Sequence, residues 1–146
     1  MMNDYKNFFD EFGSAKGGLE TFEINVIVKI NAEQIDNIIS LALDSGGITY
    51  WAGLNTKTDE WKEKPKGIYY SSYATYLLLT GQAVTFYDEE GEIDEEEEWA
   101  LTLPKLLDGI RLNYNNRPFD CDLENMDVET ADCIIQYALF GEIVFS

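Results

Sequence analysis

The chain has 146 residues, 45% of them hydrophobic and 14% aromatic, enough for one ordinary domain with its own core. Its 28 Asp and Glu against 10 Lys and Arg give a net charge of -18, which repels nucleic acid phosphates and anionic membrane and favours basic partners. It has no histidine, which removes Ser-His and Cys-His nucleophilic catalysis and the commonest transition-metal ligand, so no enzyme activity and no metal or cofactor are expected.

The opening "MMNDYKNFFDEFG" carries acids where a signal peptide needs a basic region and an apolar core, and no apolar run reaches the length of a membrane span. Residues 1–19 read as a loosely attached N-terminal helix and a Gly-rich connector. Within them "GSAKGG" lacks the GK[ST] ending and the preceding strand of a phosphate loop. Next, "FEINVIVKIN" alternates: Ile24, Val26, Val28 and Ile30 share one face, with Glu23, Asn25 and Lys29 on the other and Ile27 the exception, which predicts a half-buried strand. Asn31 then caps a helix with Gln34 at the capping-box position. Ile35, Ile38, Ile39, Ala42 and Leu43 form its apolar stripe, and Gly46 and Gly47 end it.

"ITYWAGL" reads as a short strand, and the polar stretch from Asn55 to Gly67 holds four of the ten basic residues: Lys57, Lys62, Lys64 and Lys66. "IYYSSYATYLLLTG" has helical spacing and stops at Gly81. "QAVTFYD" and "WALTL" predict an antiparallel hairpin. Thr102 caps a further helix with Pro104 in its first turn and Leu103, Leu106, Leu107, Ile110 and Tyr114 on its buried stripe. "NYNNRPFDCD" reads as loop. Asp127 caps the last helix, which buries Val128, Ala131, Ile134, Ile135, Ala138 and Leu139 and stops at Gly141 before "EIVF", a closing strand or docked tail. Cys121 and Cys133 are too far apart for a CxxC motif, and Cys133 reads as a buried free thiol in a reducing cytoplasm. The order predicts a single α+β domain over residues 1–146, with a mixed, mostly antiparallel sheet, about four helices and an acidic β-hairpin loop.

That loop is the most unusual stretch. "DEEGEIDEEEEW" places Asp88, Glu89, Glu90, Glu92, Asp94, Glu95, Glu96, Glu97 and Glu98 between the two hairpin strands; without these nine the chain still carries -9. Like charges across a hairpin destabilise pairing, so the run must reach into solvent, bind cations or meet a basic partner. Its spacing is not that of an EF-hand, and neither is that of "DCDLENMD". A second acidic cluster comprises Asp120, Asp122, Glu124, Asp127, Glu129 and Asp132. Two carboxylate-rich surfaces on one acidic domain can imitate the phosphate rows of a duplex and occupy a basic, nucleic-acid-binding protein. An alternative site lies where aromatics flank the lysines. Trp51, Trp61, Lys64, Lys66 and Tyr70 together offer ring faces and cations suited to a nucleotide, such as a defence signal to be sequestered, against the simpler reading that the rings are core.

The segments "FEINVIVKINAEQIDNIISLALDSGGITYWAG", "WALTLPKLLDGIRL" and "ADCIIQYALFGEIVF" resemble a family of small acidic proteins encoded by phages and prophages of Firmicutes. The resemblance covers most of the chain and rests on core-forming residues, so it implies no site. It implies a context, that of accessory proteins which antagonise bacterial defence, including anti-CRISPR proteins that imitate DNA in charge.

Overall fold

The computed structural model describes residues 20–89 and 97–146. Its first helix, α1 (Ala32–Leu43), begins at the expected capping box: Asn31 Oδ1 accepts from Gln34 N at 2.8 Å, and Gln34 Oε1 accepts from Asn31 N at 3.0 Å. Ile35, Ile38, Ile39 and Ala42 are buried on one face of this helix. The chain then turns tightly, with the amides of Trp51 and Ala52 both donating to Ile48 O, before β1 (Ala52–Leu54). A single 3-10 turn (Asp59–Trp61) interrupts the lysine-bearing loop ahead of α2 (Tyr70–Leu79).

Strands β2 (Val84–Asp88) and β3 (Glu98–Leu101) form the expected hairpin, and the sheet has three antiparallel strands in the order β1-β2-β3. Phe86 lies opposite Leu54 on one side and Trp99 on the other. Val84 and Phe86 point into the core while Thr85 and Tyr87 are only partly covered, the period-2 pattern of a sheet with one buried face. Helix α3 (Leu103–Asn116) starts at Thr102, whose hydroxyl accepts from Lys105 N, with Pro104 in the first turn. A 3-10 turn (Pro118–Asp120) leads to α4 (Val128–Phe140), capped by Asp127 at one end and by Gly141 in the left-handed conformation (φ 75°) at the other.

The helices pack as two pairs, α1 with α2 and α3 with α4, and α4 joins them by touching α1 and β3. Helices α3 and α4 approach very closely at Gly109. A Cβ placed there would lie 2.5 Å from Ile134 O and 2.7 Å from Ala138 N, both backbone atoms of α4. At the centre Trp51 is fully buried. Its ring stacks on Phe145 (centroids 4.9 Å apart, planes 7° apart) and meets Trp99 and Phe140 at a tilt.

The structure bears out a single α+β domain with four helices among the described residues, and corrects several details. Among the described residues the sheet is antiparallel throughout, not mixed, and residues 22–31 do not enter it. That segment has the alternation of a strand, yet among the described residues its backbone from Phe22 to Ile30 makes no hydrogen bond, and Phe22, Ile24, Val26 and Ile27 are 85, 84, 72 and 92% exposed. Alternation marks a face; it does not provide a neighbour. The strand in "ITYWAGL" shrinks to three residues because Ile48–Trp51 are used by the turn. The stretch Asn113–Asn116, expected as loop, continues α3, and Leu107 and Val128 are exposed rather than buried. "EIVF" is a docked tail rather than a strand: Gln136 Oε1 accepts from Val144 N and Phe145 N, and its Nε2 donates to Phe145 O. The expected N-terminal helix and connector lie outside the described residues.

Candidate functional site

The acidic surface is built from helix α1 outward. Its buried stripe leaves Glu33 and Asn37 on the solvent face and Asp36, half-buried, at the edge. Opposite them the loop before α4 brings up Leu123 and Glu124, and the two walls enclose a groove of about 580 Å³. Asn31, Gln34 and Ser40 also line it, and no lysine or arginine among the described residues takes part. Asp36 is held in place by α2, since Thr75 Oγ1 donates to its Oδ1 at 2.8 Å. The groove therefore joins Glu124, expected from the sequence, to Glu33 and Asp36, which sequence reasoning missed. The signal was present in the polar side of an amphipathic helix, but the matching wall is some ninety positions away.

The rest of the second acidic cluster divides by task. Asp120 forms an ion pair with Arg117 (Oδ2 to Nη2, 2.9 Å), a guanidinium only 14% exposed that also donates to Asn113 Oδ1. The buried Asn113 closes this clip by donating to Asp120 O. Asp122 accepts from the Asn125 side chain and from Glu124 N, and these hydrogen bonds hold its carboxyl below the usual aspartate range. Asp127 accepts from Thr130 N as the α4 cap, which lowers its pKa in the same way.

Asp132 departs most from expectation, because it is not on the acidic surface at all. It is 8% exposed, and its carboxylate accepts from Trp51 Nε1 (2.8 Å), Tyr50 Oη (2.6 Å) and Gln136 Nε2 (3.0 Å). Burial, and then the hydrogen bond to this carboxylate, hold the Tyr50 phenol far above its ordinary range. Three donors and no cation satisfy the charge, and through Gln136 the same network fixes the C-terminal tail.

At the hairpin the ladder continues past the strand ends, with Asp88 N donating to Glu97 O and Glu89 N to Trp51 O. Glu89, Glu97 and Glu98 are exposed, and Glu98 accepts from Asn55 Nδ2 at 3.0 Å. Pairing thus gathers the carboxylates of Asp88, Glu89, Glu97 and Glu98 at the mouth of the hairpin. The remaining members of the run, Glu90, Glu92, Asp94, Glu95 and Glu96, lie outside the described residues.

In the aromatic and lysine region Trp61, Lys64 and Tyr70 come together, while Trp51 lies apart. Trp51 is in the core and Trp61 is 6% exposed, packed on Tyr70 and Tyr73, so neither indole presents a face to a ligand. Trp61 Nε1 is buried without a hydrogen-bond partner among the described residues. Tyr70 is exposed, with Lys64 Nζ 4.7 Å from its ring centre, and Lys66 is exposed. Tyr70 borders a groove of about 490 Å³ whose charged lining is Asp44 and Glu89, an arrangement that repels phosphate. No group of His, Cys, Asp and Glu suited to a metal ion occurs among the described residues, and no helix among them is long and apolar enough to cross a membrane.

No protein-family model, curated protein or solved structure matches the chain. The geometry therefore stands on its own chemistry.

Proposed function

We propose that the protein binds a basic, nucleic-acid-binding partner by charge mimicry and occupies the surface that partner uses for phosphates, as an inhibitor of a host defence enzyme would. The observation that supports this most is that two grooves, one lined by Glu33, Asp36 and Glu124 and one by Asp44 and Glu89, have no lysine or arginine in their walls among the described residues. Three of the cations are paired elsewhere, Lys62 with Asp59, Arg111 with Asp108 and Arg117 with Asp120, and Lys105 donates to Ala100 O. Local pairing thus neutralises carboxylates away from the grooves and leaves the grooves negative. The exposed Glu89, Glu97 and Glu98 at the mouth of the hairpin add further negative charge. A partner arranged to meet phosphates finds carboxylate oxygens instead, and the complementary potentials raise the association rate in a salt-dependent way.

The nucleotide alternative has weaker support, because both tryptophans are buried and the groove beside Tyr70 is acidic.

Affinity capture from a bacterial lysate at low salt, eluted with a salt gradient and read by mass spectrometry, tests the proposal. A nuclease or other nucleic-acid-binding protein should elute between about 50 and 200 mM added salt, the range in which phosphate-type contacts weaken steeply. The triple variant Glu33→Gln, Asp36→Asn, Glu124→Gln, and separately Glu95 to Glu98 changed to Gln, should each lower the eluting salt. If both neutralised variants retain the same proteins at the same salt, charge mimicry is wrong.

A further inference from the structure

The segment Thr21–Asn31 forms neither helix nor strand, lacks backbone partners among the described residues up to Ile30, and carries a row of exposed β-branched and aromatic side chains. A segment with this alternation and unpaired backbone is a template for strand pairing, and natural proteins ordinarily blunt one with prolines, inward charges or a covering element. This one has no proline, and its only charges between Thr21 and Asn31 are Glu23 and Lys29.

Those two charges select an occupant. We infer that the segment pairs antiparallel with the same segment of a second copy of this chain, with Val26 on the two-fold axis. In that register Glu23 faces Lys29 of the other copy twice over, Ile24 faces Val28, Phe22 faces Ile30, and Val26 faces itself. All the apolar pairs then share one face of the ribbon. Moving the axis to Asn25 sets Glu23 against Ile27, and moving it to Ile27 sets Glu23 against Asn31 and Lys29 against Asn25. An axis between residues mixes the apolar face with the polar one. Only the Val26 register pairs the charges and keeps the apolar row on one face, with Asn25 facing Ile27 on the other.

The surroundings suit a second strand. The segment forms one wall of a groove of about 600 Å³ whose other wall includes Leu107, Ile110 and Tyr114 of α3, with Leu107 42% exposed. Pairing ends naturally at Asn31, whose amide is already used by the α1 capping box. Isologous pairing of this kind closes as a dimer and leaves no free copy of the segment.

The net charge of -18 on each copy opposes association, and at about 0.5 M salt the screening length falls to a few ångströms, so the dimer should tighten as salt rises. Salt should weaken the acidic grooves' capture of a basic partner, so the two behaviours are separable. Sedimentation equilibrium of the full chain over a concentration series, at low and high salt, reads the association. Glu23→Lys alone and Lys29→Glu alone should each weaken the dimer roughly 3- to 30-fold, and the double exchange should restore it. In a Cys121→Ser background, Val26→Cys should form an interchain disulfide under mild oxidation faster than Asn25→Cys, because Val26 alone meets its own copy. A chain that stays monomeric at every concentration and salt overturns the inference. So does a dimer whose double exchange fails to recover, or one in which Val26→Cys has no advantage.

Discussion

Replacing Asp132 tests whether a buried carboxylate in an acidic protein acts as a charge or as an acceptor. In Asp132→Ala the Trp51 indole N–H, in a fully buried side chain, loses its partner at 2.8 Å, and Gln136 Nε2 keeps only Phe145 O. Tyr50 is 44% exposed and can turn its hydroxyl to water, so its loss counts for little. Leaving a buried donor unsatisfied costs about 1–3 kcal/mol, and losing the charge-assisted bond from Gln136 adds about 1 kcal/mol, so Asp132→Ala should destabilise by roughly 2–4 kcal/mol. At roughly 2–4 °C per kcal/mol for a chain of this size, the melting temperature should fall by about 4–16 °C. Asp132→Asn keeps an oxygen for Trp51 and Gln136 and can donate to the Tyr50 oxygen, while removing the desolvation cost of the charge. It should lie within about 1 kcal/mol of the parent. Thermal melts followed by far-UV circular dichroism compare the two without relying on the perturbed tryptophan. If Asn is as damaging as Ala, the negative charge itself is required and the acceptor argument fails.

Gly109→Ala should destabilise the chain by about 1–3 kcal/mol by driving a methyl group into the α4 backbone, while Asp108→Ala, at the exposed ion pair next to it, should change urea unfolding by less than about 1 kcal/mol. The raised pKa of Tyr50 sets an alkaline limit: above the ordinary tyrosine pKa near 10 the unfolded chain releases a proton that the folded one retains, so stability should fall as pH rises past that point. Tyr50→Phe should flatten that decline in urea titrations at pH about 9 to 11, leaving the smaller contributions of Tyr73 and Tyr114, also raised by burial.

The elements that were legible in the sequence are those fixed by neighbours three or four residues away. The Asn31–Gln34 box, Thr102 with Pro104, and Asp127 with Gly141 place four helix ends, because a cap satisfies backbone groups within its own terminal turn. The β2–β3 hairpin was likewise readable from two alternating runs joined by a polar connection. Tertiary structure alone decided the roles that depend on distant partners. The alternation of Ile24, Val26, Val28 and Ile30 gave a strand-like face but no neighbouring backbone, so the segment lies outside the sheet. Glu33 and Asp36 become a groove only because the loop carrying Glu124 comes to lie opposite α1. Asp132 and Asp122 look alike as letters in one acidic stretch. One accepts from Trp51 in the core and the other sits in solvent, because a carboxylate's role is set by the donors that packing brings to it.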